Sequence, residues 1–195
     1  MPGISDRQAG KRERVLAAAR MLFVRNGLRG TTMEAIAREA GIAKPTLYAQ
    51  FADKQAVFGA LLEQLVADKH AAFDAALASE GEPVERIGRA LVAKFGVISA
   101  AIGGSAHVDE LFAAHHKGAE LFARSNRHVA ETLTSLLEQG GVEAPERLAL
   151  LLLAAAKGVA EAGITAASLS DDLMLLSRRI VGPELERSAN YAPET

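Results

Sequence analysis

Apolar residues recur along this chain at intervals of three and four, and no stretch alternates apolar with polar at the two-residue period of a strand. Ala, Leu, Glu, Arg and Lys, which give up little freedom on entering a helix, dominate the sequence. An all-α chain is predicted. The first helix runs from about Ser5 to Asn26, with Val15, Leu16, Ala19, Leu22 and Phe23 on one face and Gly27 as a left-handed stop. A second starts after Thr31-Thr32, either of which can accept backbone amide hydrogen bonds as an N-cap, and Gly41 ends it. The third covers about Lys44 to Gln50, with Pro45 in its first turn, where a missing amide hydrogen costs nothing. Asp53 then caps a long fourth helix from Lys54 to about Ser79. Breaks at Gly81 to Pro83, Gly103-Gly104, Gly140-Gly141 and Ser168 to Ser170 divide the rest into helices at roughly 83–100, 105–117, 119–139, 145–167 and 170–181, about nine in all. Pro183 reads as a stop and leaves 184–195 as a flexible tail.

Half of the 195 residues are hydrophobic, enough for a real core. The absence of cysteine removes disulfide frameworks and thiolate zinc sites. No signal-peptide core opens the chain, and the longest unbroken apolar run, Leu148 to Ala156, falls far short of the roughly 20 residues that span a bilayer, so a cytoplasmic location is expected. The net charge of -2 hides a division: residues 1–58 carry ten Lys and Arg against five Asp and Glu, while the remainder carries twelve against nineteen. The basic end suits a polyanion, and the acidic remainder would be repelled by one.

Within the basic part, residues 31–54 read TTMEAIAREAGIAKPTLYAQFADK: a short helix, a tight turn opened by glycine, and a second short helix. This is a helix-turn-helix plan. Ala37, Ile42, Leu47 and Phe51 are spaced to form the small core between the helices. Met33, Lys44, Thr46, Tyr48 and Gln50 are then expected to face outward, a set of apolar, cationic, hydroxyl and amide groups suited to phosphates and base edges.

The run TT..AIA.EAGIAKPTLYAQF.DK resembles the DNA-binding domain of the tetracycline-repressor (TetR) family, closely over about residues 10–60 and in general architecture beyond them. The resemblance implies an amino-terminal helix-turn-helix domain over 1–53 and a helical ligand-binding and dimerisation domain over 54–183. It implies a DNA surface made by Thr31, Thr32, Met33, Lys44, Pro45, Thr46, Tyr48, Gln50 and Lys54. Thr32 would meet a phosphate while capping its helix, Lys44 would reach a guanine and Pro45 a thymine methyl. Thr46 and Tyr48 would hold the backbone, and Lys54 would bind a phosphate from a helix start.

The helix beginning at Pro145 is apolar almost all round between Leu148 and Ala160 and must be covered on more than one side. The resemblance implies that it and the following helix, with Leu173, Leu176 and Ile180 on one stripe, pair with their twins in a homodimer. Phe73, Phe95, Phe112, His115, His116, Phe122 and His128 are candidate contacts for a small-molecule effector, although phenylalanine at helical spacing is more often plain core. Asp109, His116 and Glu120 could share a helical face as a metal cluster, but no HExxH motif or second His supports one, so neither metal nor cofactor is expected. The expected function is therefore that of a non-enzymatic, ligand-responsive transcriptional regulator, a repressor that binds a pseudo-palindromic operator as a homodimer until an inducer releases it. Two alternatives compete: an all-α enzyme or metalloprotein, and a protein-interaction module that does not bind DNA. Against the first, Ser105 reads as an N-cap, its GGS lacks a phosphate-loop lysine, and no nucleophile has a base at a diagnostic spacing.

Overall fold

The computed structural model describes residues 4–102, 106–107, 110, 119–162 and 166–190, and these are helices joined by turns, with no strand among them. The helices are α1 (Ile4–Asn26), α2 (Met33–Glu39), α3 (Lys44–Tyr48), α4 (Lys54–Leu77), α5 (Pro83–Ile102), α6 (Ala119–Gln139), α7 (Pro145–Glu161), α8 (Ala166–Ile180) and α9 (Gly182–Asn190). The expected helix over 105–117 lies almost wholly outside the described residues. The chain divides into two compact units, Met1–Leu65 with Ile102–Ala119, and Val66–Ala101 with Glu120–Thr195. Helix α4 runs through that division.

In the first unit, α1 buries Val15, Leu16, Ala18, Ala19, Leu22 and Phe23. The Phe23 ring meets Phe58 of α4 edge to face, 5.7 Å between centroids at 78°, a favoured aromatic arrangement. Gly27 closes α1 with φ 72°, and its amide donates to the Phe23 carbonyl at 2.9 Å. Its positive φ suits glycine, and a Cβ there would also collide with the Glu110 carboxylate, so any larger residue would disturb both the turn and its neighbour.

The second unit has its own core, built from Phe73 and Leu77 of α4, Ile87, Ala90 and Leu91 of α5, Val129, Leu133 and Leu137 of α6, Ala149, Leu152 and Ala156 of α7, and Leu169 and Leu173 of α8. Helices α5 and α8 approach closely because Gly88 has no side chain: a Cβ there would lie 2.7 Å from Met174 Sδ. The Ser177 hydroxyl donates to the Val84 carbonyl at 2.7 Å, and Arg178 grips Glu85 with two bonds of 2.8 and 3.3 Å. That pairing holds the Glu85 carboxyl below its usual range and raises Arg178.

Two expectations about the carboxy-terminal end change. Helix α7 stops at Glu161 rather than near 167, and α8 is under way by Ala166, so the break precedes the Ser168 to Ser170 cluster. Pro183 does not end the structure but sits in the first turn of α9, where its ring is tolerated, so the expected flexible tail is helical to Asn190. Tertiary contacts hold that helix: Leu185 packs on the second core, and the Ser188 hydroxyl donates to the Gly141 carbonyl at 2.8 Å.

Candidate nucleic-acid interface and effector groove

The Thr32 side chain accepts from the Ala35 amide at 3.1 Å and caps α2. The turn after α2 depends on Gly41, φ 63°, with Ile42 N–H donating to the Ala37 carbonyl at 3.0 Å. Ala43 leads into α3 without a side-chain cap, and Pro45 fills the first turn. The helix is shorter than expected, ending at Tyr48 with turns through Gln50, because Phe51 N–H bonds back to Leu47 and both side chains enter the core. Asp53 caps α4 as anticipated, its carboxylate accepting from Ala56 N–H at 2.8 Å.

Ala37, Leu47 and Phe51 are buried and Ile42 half-buried, which forms the small core between α2 and α3. Lys44, Pro45 and Tyr48 are exposed on the other side, with Thr46 and Gln50 half-exposed beside them. Of the Thr pair, Thr32 is exposed, whereas Thr31 is buried and its hydroxyl donates to the Gly27 carbonyl at 2.8 Å. Met33 likewise turns inward rather than outward, since it shares one stripe with Ile36, Ala37 and Ala40 at helical spacing. The side chains of Thr31 and Met33 are therefore spent inside the fold.

Neighbours invisible in the sequence hold the two lysines. Lys44 forms an ion pair with Glu34 of α2, an interaction that raises the lysine's affinity for its proton and lowers that of the Glu34 carboxyl. Its ammonium also lies 5.8 Å from the Tyr48 ring centroid. Lys54 donates to the Thr31 carbonyl at 2.7 Å and to that of Arg29 at 3.4 Å, so it fastens the loop before α2 to the start of α4. Glu110 supports the same loop, accepting from Arg29 N–H at 2.8 Å. Arg12 of α1 covers the Phe51 ring at 4.8 Å. Sequence reasoning did not single out Arg12, Glu34 or Glu110; all three contacts bridge separate elements of the fold.

In the second unit, α5, α6 and α7 enclose an open groove of about 670 Å³, in the range of small-molecule sites. Its apolar wall includes Phe95, Leu150 and Leu153, and Lys94, Asn126, Arg127 and Lys157 provide polar groups. Of the residues expected to touch an effector, Phe95 lines this groove, while Phe73 is fully buried in the core and does not. Phe112, His115 and His116 lie outside the described residues, as does Asp109 of the possible metal cluster, and the side chains of Phe122 and Glu120 are likewise not described. His128 lines a second hollow of about 530 Å³, 3.5 Å from Asp74, with its ring 4.6 Å from that of His70. Sequence reasoning passed over Lys94, although a signal existed: Ile87, Ala90, Leu91 and Lys94 fall on one helical stripe, and all four are buried.

Comparison with known proteins agrees with this geometry. Residues 15–61 match the family described as bacterial regulatory proteins, tetR family. A TetR-family transcriptional regulator from Streptomyces coelicolor superposes with a TM-score of 0.65 at 21% identity, covering 91% of this chain and 97% of its own. A transcriptional regulator from Rhodococcus sp. Rha1 gives 0.64 at 23% identity over 93% and 99% of the two chains. The TetR-family regulator PfmR from Thermus thermophilus gives 0.60 at 19% identity over 85% and 97%. No curated protein matches the chain. At such identities the solved structures speak for the fold, and the matched amino-terminal segment speaks for the helix-turn-helix. Together these findings show that residues 15–61 are similar to the helix-turn-helix segment of the tetR family of bacterial regulatory proteins and that the chain shares the all-helical fold of the solved regulators.

Proposed function

We propose that the chain acts in the cytoplasm as a homodimeric repressor, binding a pseudo-palindromic operator through α3 and releasing it when a small molecule occupies the groove of the second unit. The observation that carries the DNA reading is the exposed group Lys44, Pro45 and Tyr48 on a short helix whose other side is locked into the core by Leu47 and Phe51. Lys44 reaches a guanine by exchanging Glu34 for the base edge, Pro45 touches a thymine methyl, and Thr46, Tyr48 and Gln50 contact backbone or base edges. The Thr32 hydroxyl accepts from Ala35 and keeps its own hydrogen for a phosphate, while Thr31 and Met33 contribute through the backbone alone. Lys54 spends two of its three N–H donors on carbonyls that position the Thr32 loop and offers the third to a phosphate.

The dimer reading rests on uncovered apolar residues. Leu151 of α7 is 56% exposed and Leu175 of α8 is 51% exposed, and among the described residues no neighbour lies within contact distance of a Cβ at Gly158. Leu151, Ala155 and Gly158 follow one stripe beside the groove, which a second copy would cover. Helix α4, running from Lys54 into the second unit, is the proposed lever between effector and DNA. A coupling of about 1–3 kcal/mol would change operator affinity roughly 5- to 150-fold. None of these observations favours catalysis.

A gel-shift titration on the chain's own upstream region at several salt concentrations tests the reading. Binding should weaken steeply with salt; absence of any shift at low salt would sink the repressor proposal in favour of a protein-interaction module. Lys44→Ala is expected to change which operator bases are preferred, with about 1–3 kcal/mol of discrimination lost at one position. A loss equal for every sequence would remove Lys44 from base readout. Lys54→Ala should instead weaken all sequences alike and lower the salt slope by roughly one. An unchanged slope would leave Lys54 with its loop-fastening role alone.

A further inference from the structure

The floor of the groove in the second unit contains a buried cation. Lys94 is only 2% exposed, its ammonium donates to Asn126 Oδ1 at 3.0 Å and lies 5.1 Å from the Phe95 ring centroid, and no carboxylate among the described residues is within ion-pair distance of it. A buried ammonium held by one neutral oxygen and a ring face is poorly compensated, and an apolar side chain of the same length would fill the place at lower cost. What would compensate it is an anion entering from the groove that Lys94 lines.

The groove is also polarised along its length. The short connection at 140–144 folds α7 back along α6, so Glu138 and Glu146 share the loop end. Arg127 and Lys157 lie eleven residues further along their helices, about 16 Å away at the rise of an α-helix, with Lys94 and Asn126 at that same end. Between the two ends run Ala130, Leu150 and Leu153, and Phe95 lies beside Lys94. Such a groove orients an amphiphile, with its anionic group toward Lys94 and its apolar part along the leucines.

We propose that this groove binds an organic anion with an apolar body, a carboxylate in its simplest form, seated on Lys94 and Asn126, and that this class of molecule is the effector. Asn126 accepts from Lys94 through its oxygen and still offers its amide hydrogens to a carboxylate, which completes a two-pronged seat. The effector clause rests on the regulator reading above, whereas the anion site stands on the groove alone.

Burial, and next to it the charge of Lys69, brings Lys94 down to about 7, so above neutrality an anion must draw a proton onto Lys94 as it binds. The other charged groups around the groove are Lys69 and His70 on α4, Arg127, His128, Glu131 and Glu138 on α6, and Glu146 and Lys157 on α7. Lys69, brought down to about 8 by burial, also titrates just above neutrality, so Lys69→Met serves as the control.

Calorimetric titration of the full chain with sodium decanoate and with decanol, which differ in the charged head, tests the site. Decanoate should bind at least about 30-fold more tightly than decanol. Lys94→Met should erase that preference while leaving decanol unchanged. Between pH 7 and 9 the wild-type affinity for decanoate should fall by up to about tenfold per unit, and decanol should not respond; the fall should persist in Lys69→Met and vanish in Lys94→Met. Equal affinity for the two probes, an undiminished decanoate affinity in Lys94→Met, or failure to bind any of hexanoate, decanoate, palmitate, benzoate and naphthoate would overturn the proposal. Repeating the titration with saturating operator separates the two readings. Lys94-dependent decanoate binding that operator leaves unchanged upholds the anion site and overturns the effector role.

Discussion

Leu151→Glu is expected to yield a folded monomer that no longer holds its operator, whereas Leu152→Glu, one residue further along α7, should prevent folding. The two leucines are chemically identical and adjacent, but Leu151 is 56% exposed and Leu152 is fully buried against the second core. A carboxylate at 152 removes a core side chain, a change in the range of about 2–5 kcal/mol by itself, and adds the cost of desolvating a charge, against a total stability of about 5–15 kcal/mol. At 151 the same carboxylate stays in water in the single chain and meets an apolar surface only when two copies pair. Operator affinity should then fall by roughly 10³-fold or more, the ratio that separates specific from non-specific binding, because one copy reaches one half-site. Sedimentation velocity and thermal unfolding distinguish the cases. A Leu151→Glu protein that remains dimeric at micromolar concentration with full operator affinity would show that the α7 stripe is not the pairing surface.

The second large effect concerns stability. Lys94→Met should stabilise the chain by about 1–4 kcal/mol at pH 7, since it replaces a desolvated charge by an apolar side chain of similar length. The gain has a defined pH window. Lys94 is brought down to about 7 in the folded chain and ordinarily titrates at 10.5, so below pH 7 it is charged in both states and the full desolvation cost falls on the fold. Between pH 7 and about 10.5 the unfolded chain binds more protons than the folded one, wild-type stability rises with pH, and the advantage of Lys94→Met shrinks. Above that range the advantage should be gone. Urea unfolding of both proteins at pH 6, 7, 8 and 9 measures the difference; a constant gap across the series would show that Lys94 is charged throughout in the folded state. A residue whose removal stabilises the fold, yet which lines the groove with an apolar wall described above, is the arrangement expected where stability is traded for binding.

Much of the amino-terminal helix-turn-helix was legible in the sequence because its determinants are local. Gly27 and Gly41 take the left-handed conformation that ends a helix, Pro45 opens α3, and Asp53 caps α4, each acting within about four residues of itself. The periodicity likewise gave the core stripes of α1 and the small core of Ala37, Leu47 and Phe51. The TetR-type pattern added roles for surface residues that composition alone would not assign.

What the local pattern left open was decided by elements meeting across the fold. Either Thr31 or Thr32 could cap α2, and the return of the chain from Gly27 settles it by burying Thr31 on the Gly27 carbonyl. Lys44 and Lys54 look like free cations in the sequence, but Glu34 and the carbonyls of Arg29 and Thr31 come to them only once the helices pack. Helix α9 carries a proline in its first turn and lacks a long apolar stripe; it is held because Leu185 reaches the second core and Ser188 reaches Gly141. An apolar helix such as α7 announces that it must be covered, but period alone says neither which side faces the core nor which awaits a partner, because Leu151 and Leu152 differ only in what the surrounding helices place beside them. Lys94 stands on a buried stripe by its spacing, and its charge argued for the surface; the packing of α5 against its neighbours resolves that conflict by enclosing the ammonium at the floor of a groove.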